Sequence, residues 1–222
     1  MDVMIFGATG MVGQGALREA LLDPGVGRVL AVGRRATGER HPKLREIVVP
    51  EVADLSAVEG ELAGYDACLF TLGVSSAGMT EERYTELTYD LTLAVARTLA
   101  RLNPAMTFVY VSGQGTDGSE RGRMMWARVK GRTENDLLRL PFRAAYMFRP
   151  GAIIPMHGVT SRARLTRIGL AVTKPLHGVL KGRFPSFITD SEQLARAMLR
   201  VARDGHPKPV LETRDINRVR AR

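Results

Sequence analysis

The chain has a single cysteine, few aromatic residues and no long hydrophobic run. Cys68 cannot form an internal disulfide bond or build a cysteine-based zinc site. The four histidines are scattered without ligand spacing, at His41, His157, His177 and His206. The longest stretches without a charge, residues 67–80 and 102–116, are broken by Gly, Ser, Pro or Thr and fall short of the ~18 apolar residues of a membrane span. The sequence therefore predicts neither a metal site nor an integral membrane span.

Length and composition are those of one globular domain. The chain has 222 residues, of which 45% are hydrophobic and 25% are charged, which excludes a wholly disordered chain. Residues 1–6, MDVMIF, are typical of a strand and lack the basic segment of a signal peptide. We therefore expect a single-domain cytoplasmic protein.

Acidic residues are scarce in the second half of the chain. Residues 1–111 carry 10 Lys+Arg and 14 Asp+Glu, a net charge of −4, whereas residues 112–222 carry 22 and 9, a net charge of +13. Such asymmetry raises the alternatives of nucleic-acid binding and of contact with an anionic membrane. The arginines are interspersed with apolar residues and no nucleic-acid-binding motif is present. The sequence therefore favours solvated arginines or a phosphate-bearing ligand over nucleic acid.

Short apolar segments alternate with longer segments of helical periodicity. The first strand is predicted at residues 3–6 and the first helix at 11–22. Further strands are predicted at 28–32, 45–49, 66–72, 107–111, 143–148 and 209–212, and further helices at 55–62, 81–101, 124–139 and 191–203. This alternation predicts a doubly wound parallel α/β sheet of the Rossmann type, with strand order 3-2-1-4-5-6-7.

A glycine-rich segment lies between the first predicted strand and the first predicted helix. Its spacing, G-x-x-G-x-x-G, differs by one residue from the usual G-x-G-x-x-G fingerprint. Glycines allow a tight turn and let a pyrophosphate approach the N–H groups at the helix N-terminus. The predicted cofactor contacts are Gly7, Thr9, Gly10, Met11, Val12 and Gly13. The alternative is a tight turn that binds no ligand.

Arg34 and Arg35 follow the second predicted strand, where NAD-selective folds place an acidic residue. A carboxylate would repel a ribose 2′-phosphate, whereas a guanidinium pairs with it. The sequence therefore favours NADP(H) over NAD(H), and one of the two arginines is expected to be solvated. After the third and fourth strands, contacts with the adenine and its ribose are predicted for Asp54, Leu55, Leu72, Gly73 and Val74.

These features resemble the short-chain dehydrogenases/reductases, in particular their atypical branch with Tat-interacting-protein-like and epimerase-like members. The resemblance covers about residues 1–155 and is carried by YVSGQG at 110–115, RVKGRTE at 128–134 and FRPG at 148–151, besides the glycine loop, Arg34 and Asp54-Leu55. It implies an NAD(P)-binding domain with oxidoreductase or epimerase-like activity on a small molecule. It also implies cofactor contacts by Arg149, Pro150 and Gly151.

The catalytic set of that family is a Ser, a Tyr and a Lys four residues after the Tyr. By the resemblance, Ser112 and Lys130 occupy the Ser and Lys positions and also bind the cofactor, but Trp126 stands at the usual Tyr position. In the family the lysine binds the nicotinamide ribose and lowers the pKa of the tyrosine. An indole N–H donates a hydrogen bond but does not titrate. Two alternatives follow: an NADP(H)-dependent enzyme, or a catalytically silent NADP(H)-binding protein that senses redox state or regulates a partner.

Proteins of this family choose their substrate with the segment after the sixth strand. Residues 156–190 are expected to cover the substrate site, and residues 160–183 mix basic and apolar residues. This basic segment either touches an anionic membrane or a partner, or packs its apolar side on the domain. The substrate, the direction of the reaction, and a protein partner or homodimer stay open from the sequence.

Overall fold

The computed structural model describes residues 1–158 and 183–219, and a seven-stranded parallel sheet forms its centre. The strands of this sheet are β1 (Val3–Phe6), β2 (Val29–Gly33), β3 (Leu44–Val48), β4 (Ala67–Phe70), β5 (Thr107–Val111), β6 (Ala144–Arg149) and β9 (Val210–Glu212). They lie in the order β3-β2-β1-β4-β5-β6-β9. A separate parallel pair consists of β7 (Ala152–Ile154) and β8 (Ile188–Asp190).

Helices flank the main sheet. They are α1 (Met11–Leu22), α2 (Glu81–Thr85), α3 (Leu91–Leu102), α4 (Met125–Leu137), α5 (Ser191–Asp204) and α6 (Thr213–Arg218). A π-helical turn, Glu86–Asp90, joins α2 to α3, and a 3₁₀ turn, Ser56–Glu61, precedes β4.

Both faces of the sheet are covered, as β1 illustrates. Met4 and Phe6 belong to a core that includes side chains of α3 and α4, whereas Val3 and Ile5 belong to a second core that includes side chains of α1 and α5. All four side chains are fully buried. A strand buried on both faces has no polar alternation, which explains why residues 3–6 form a continuous apolar run. The carboxyl ends of the parallel strands share one edge of the sheet, where ligand sites of such folds lie.

The predicted fold class and strand order are confirmed, with β9 as the seventh strand. The helix predicted at 55–62 is instead the 3₁₀ turn, and the helix predicted at 81–101 contains the π-helical turn. The β7–β8 pair and α6 were not predicted. Most of the predicted cover at 156–190, and of the basic segment at 160–183, lies outside the described residues.

Candidate functional site

The loop between β1 and α1 approaches its neighbours closely at two glycines and leaves space at the third. Gly7 has a φ of +87°, and a Cβ there would lie 2.8 Å from the Leu72 backbone nitrogen. A Cβ on Gly13 would lie 2.0 Å from the Gly7 carbonyl oxygen. A Cβ on Gly10 would meet only that same oxygen, at 3.3 Å. The first and third glycines therefore shape the turn and the helix packing, and the middle one faces open space.

The N-terminus of α1 is suited to bind an anion. Gly10 is the N-cap residue and offers no side chain to the first helical turn. The N–H groups of that turn have no acceptor within the helix, and they carry the positive end of the helix dipole. Open space at Gly10 together with these donors fits the pyrophosphate of a dinucleotide.

A cleft of about 430 Å³ extends from this loop across the ends of β2, β3 and β4. Thr9, Gly10 and Met11 line it on one side, and Arg34 and Arg35 line it at the end of β2. Both arginine side chains are exposed, and neither forms a hydrogen bond or ion pair with another described residue. Arg34 and Arg35, neither of which has a partner among residues 1–158 and 183–219, therefore line the cleft where the sequence predicts a 2′-phosphate.

Glu46 is a cleft residue that the sequence analysis missed. It lies on β3, opposite Ala31 of β2, and its Oε1 accepts a hydrogen bond of 2.6 Å from the Thr37 backbone nitrogen. This bond holds the loop that carries Arg34 and Arg35. The register of two strands that brings Glu46 to this place is a long-range feature, so no local sequence signal indicates it.

The adenine side of the cleft differs from the expected arrangement. The Asp54 carboxylate accepts a 3.0 Å hydrogen bond from the Ser56 backbone nitrogen, and hydrogen bonds from Ser56 lower the pKa of Asp54. Leu55 is buried in the core, and Val52 instead lines the cleft. Of the predicted loop after β4, Leu72 and Gly73 line the cleft and Val74 is exposed outside it.

Ser112, Trp126 and Lys130 come together where β5 ends beside α4. Trp126 and Lys130 lie one turn apart on α4, and the Lys130 Nζ donates a hydrogen bond to the Ser112 carbonyl oxygen. The Trp126 indole packs against Gly115, where an added Cβ would lie 3.3 Å from the ring. Lys130 therefore contacts Ser112, and Trp126 lies one turn before Lys130 on the same helix, while the catalytic and cofactor-binding roles of these residues stay predictions.

The Ser112 hydroxyl belongs to a buried ionic network. It lies within hydrogen-bonding reach of the Glu134 carboxylate and of the Phe148 carbonyl oxygen, the latter at 3.2 Å. Glu134 is 1% exposed, and the Arg149 Nε lies 3.1 Å from each of its carboxylate oxygens. The Arg149 Nη1 also reaches Glu212 Oε1 at 3.2 Å. The network therefore fixes the direction of the Ser112 hydroxyl.

Glu134 was not predicted as a site residue, although it stands four residues after Lys130 and so shares its helical face. Burial lowers the pKa of Lys130 to about 8, and the Glu134 carboxylate opposes that shift. Burial therefore brings the pKa of Lys130 closer to neutral pH than that of an exposed lysine.

The segment after β6 is held by local contacts. Besides Arg149 in the network, the Pro150 carbonyl oxygen accepts a 2.9 Å hydrogen bond from the Gln114 nitrogen. The Gly151 nitrogen donates a 2.9 Å hydrogen bond to Thr213 Oγ1. Arg149, Pro150 and Gly151 do not line the 430 Å³ cleft, so their cofactor contacts stay predictions.

Two further properties concern only residues 1–158 and 183–219. Within these ranges, no helix combines the length and the apolar character that crossing a membrane requires. The same residues contain no group of three or more His, Cys, Asp or Glu side chains arranged to hold a metal ion.

The fold is that of the short-chain dehydrogenases/reductases, which confirms the resemblance read from the sequence. WbmF from Bordetella bronchiseptica, solved with NAD⁺, is 18% identical with a TM-score of 0.68, and the match covers 97% of this chain and 76% of WbmF. A Saccharomyces cerevisiae short-chain dehydrogenase/reductase, YIR035C, is 12% identical with a TM-score of 0.64, covering 93% and 91% of the two chains. No family model matches the chain.

Curated relatives give the family. Protein FMP52 of Eremothecium gossypii is 32% identical over 156 residues, which cover 69% of this chain and 67% of the relative. Protein FMP52-1 of Scheffersomyces stipitis is 27% identical over 180 residues, covering 80% and 78%. The chain belongs to the FMP52 family. Both relatives are named mitochondrial proteins, so the prediction of a cytoplasmic protein is wrong.

Proposed function

We propose that the protein binds NADP(H) in the 430 Å³ cleft and transfers a hydride to a small acceptor that needs no proton from the protein. The observation that carries the cofactor assignment is the pair Arg34 and Arg35, exposed and unpartnered among the described residues at the end of β2. Guanidinium groups in this position favour a 2′-phosphate. WbmF was solved with NAD⁺, which supports the same class of dinucleotide here.

The glycine loop supports the position of the pyrophosphate. Space in front of Gly10 and the donors of the first turn of α1 fit its charge. Thr9 lies at the same edge of the cleft as Arg35. The 2′-phosphate would therefore lie between the loop and the end of β2.

The reaction type rests on Trp126. When bound, the reduced nicotinamide supplies a hydride, and reduction of a ketone additionally needs a proton on the new alkoxide. Trp126 cannot supply that proton because the indole N–H does not titrate, and the Ser112 hydroxyl is engaged by Glu134. An acceptor that takes its proton from water, such as a quinone or a flavin, avoids the requirement. An epimerase-like reaction is disfavoured by the same observation, because Trp126 cannot exchange a proton with a substrate at the position where the family has its tyrosine.

A regulatory role is the second candidate. Trp126 stands in the sequence where the resemblance puts the acid of the family, and its indole packs against Gly115. A protein that binds NADP(H) in the 430 Å³ cleft without turnover would report the redox state of the cofactor to a partner.

A fluorescence titration with NADPH and NADH tests the cofactor assignment. A charge-assisted pair predicts a preference for NADPH of about tenfold or more. Arg34→Ala combined with Arg35→Ala should remove the preference, whereas Arg139→Ala, at an exposed arginine that follows α4, should leave it. Equal affinities of the unmodified protein for both nucleotides would contradict the proposal.

Steady-state oxidation of NADPH tests the reaction. The expected result is turnover with a small quinone or free flavin and little with simple ketones. Binding of NADPH without turnover on any acceptor would favour the regulatory candidate instead.

A further inference from the structure

We propose that a second cavity, next to the nucleotide cleft, binds an anionic single-chain amphiphile. The cavity has a volume of about 740 Å³ and lies between α1 and the loop from Arg35 to His41. Its size is within the range of small-molecule sites. Most of its lining, including the apolar residues of α1, takes no part in the proposed nucleotide site.

One wall of the cavity is apolar and is formed by α1. Leu17 and Leu21 are four residues apart and so share one face of the helix, and Leu22 follows at its end. Leu22 is 61% exposed, although it is a large apolar side chain. Ala36 adds a further apolar contact from the loop after β2. An aliphatic chain along this wall would remove apolar surface from water, which favours binding.

The rest of the lining carries more basic than acidic groups. Arg18 and Arg35 contribute two guanidinium groups and His41 and His157 two imidazoles, against the single carboxylate of Glu39. Two of these basic groups already have acidic partners that lie outside the lining: Arg18 pairs with the buried Glu19, and His157 pairs with Glu192. Arg35 has no hydrogen bond or ion pair to another described residue. Arg35 is therefore the group that would hold an anionic head, with the chain of the ligand along α1.

The two cavities meet at a shared edge. Ala8, Thr9, Arg35 and Thr37 line both of them. If Arg35 binds the head group of the amphiphile, it is not available to a 2′-phosphate in the nucleotide cleft. The ligand should therefore weaken NADPH binding and leave NADH binding nearly unchanged. This coupling rests on the proposed function, whereas binding of the amphiphile itself does not.

Isothermal titration calorimetry of the full chain with dodecanoate, below its micelle concentration and without nucleotide, tests the site. Saturable binding is expected, with dodecanol binding about tenfold more weakly because it lacks the charge. Leu22→Glu should weaken dodecanoate binding about tenfold or more by placing a carboxylate on the apolar wall. Leu138→Glu, at an exposed leucine after α4 and away from the cavity, is the matched control and should bind as the unmodified protein does.

Nucleotide titrations with and without saturating dodecanoate test the coupling. The dissociation constant of NADPH is expected to rise at least about fivefold and that of NADH less than about twofold. Equal binding of dodecanoate and dodecanol, or equal effects of Leu22→Glu and Leu138→Glu, would overturn the site. If dodecanoate binds more tightly than dodecanol, and Leu22→Glu weakens its binding more than Leu138→Glu does, the amphiphile site is supported even if neither nucleotide binds. Failure of the proposed NADP(H) function is therefore distinguishable from failure of the amphiphile site.

Discussion

Trp126 determines which proton transfers the site can perform. Trp126→Tyr would place a phenol one turn before Lys130 on α4, and general acid catalysis of this kind contributes typically ~10²–10⁴-fold to rate. We expect Trp126→Tyr to raise NADPH-dependent reduction of small ketones, measured as NADPH oxidation, by about tenfold or more. Trp126→Phe is the control, because it removes the indole without adding an acid, and it should give no gain. Robust ketone reduction by the unmodified protein that survives Trp126→Phe but is lost in Lys130→Ala would contradict this interpretation.

Lys130 should leave a signature in the pH dependence of stability. Burial lowers the pKa of Lys130 from 10.5 to about 8, so between these values the unfolded chain binds more protons than the folded one. Stability contributed at this residue therefore rises with pH across that window. Relative to Lys130→Met, the unmodified protein should gain on the order of 1–3 kcal/mol of unfolding free energy between pH 7 and pH 10.5. Urea unfolding of both proteins at several pH values measures it, and a constant difference would show that the lysine is not held in a buried site.

Glu134 is expected to be the costliest single carboxylate to neutralise. Glu134→Gln leaves the largely buried Arg149 with only the partly exposed Glu212, and breaking a buried pair costs about 3–5 kcal/mol. Chemical unfolding should show a loss of about 3 kcal/mol. The matched control is Glu86→Gln, whose partner Arg83 is exposed, and its expected loss is under about 1 kcal/mol. Similar losses of unfolding free energy for the two variants would show that burial adds no stability to the pairing of Glu134 with Arg149.

At the scale of elements, two glycines of the loop between β1 and α1 have different expected roles. Gly10 is expected to matter for ligand binding, and Gly13 for folding. Gly10 has extended backbone angles that other residues adopt, and a Cβ there meets one oxygen at 3.3 Å. Gly10→Val should therefore fold, with a modest fall in melting temperature because the Gly7 oxygen has to shift slightly, and lose NADPH binding because the side chain would occupy the space proposed for the pyrophosphate. Gly13→Ala should instead lower stability by about 1–3 kcal/mol, because its Cβ would overlap the Gly7 carbonyl. If a folded Gly10→Val protein retains NADPH binding, the loop is only a tight turn and does not bind the cofactor.

The strands and helices show which parts of the fold follow from local sequence patterns and which do not. Strands β1 and β5 and helix α1 agree with their predictions at both ends, since each is an apolar run or a periodic segment bounded by Gly, Pro or a polar turn. The β7–β8 pair was missed because each strand has three residues and joins segments 34 or more positions apart. Helix α6, TRDINR, is short and mostly polar, and a capping box formed by Glu212 and Asp215 begins it.

The residues of the candidate site likewise divide into those that a local sequence pattern indicates and those that depend on long-range packing. The glycine loop and the arginines after β2 could be predicted because each follows directly from a strand end. Glu46, Glu134 and Val52 could not, because their positions depend on strand register or on which helix face packs inward. Leu55 illustrates the limit: a position in a motif indicated an adenine contact, but packing buries it in the core.

At the scale of the whole molecule, the charge asymmetry and the cleft lie in different parts of the chain. The glycine loop, Arg34 and Arg35 all belong to residues 1–111, whose net charge is −4, while the excess of +13 follows residue 111. Interactions between exposed charges are screened beyond about 10 Å at 0.1 M salt. Arg34 and Arg35 are the basic side chains that line the cleft among the described residues, so we expect nucleotide selectivity to depend on them more than on the overall charge of +9.

The salt dependence of nucleotide binding distinguishes selectivity caused by Arg34 and Arg35 from selectivity caused by the overall charge of the protein. The dissociation constant of NADPH should rise several-fold between about 50 and 300 mM NaCl, and that of NADH much less, because the 2′-phosphate adds charge opposite Arg34 and Arg35. Removing both arginines as alanines should bring the salt dependence for NADPH down to that for NADH. Arg139 follows α4, its side chain is 74% exposed, and it does not line the cleft. Arg139→Ala lowers the net charge and should leave the difference between NADPH and NADH intact. If Arg139→Ala reduced the NADPH dependence as much as the loss of Arg34, the global field of the protein rather than the end of β2 would determine nucleotide selectivity.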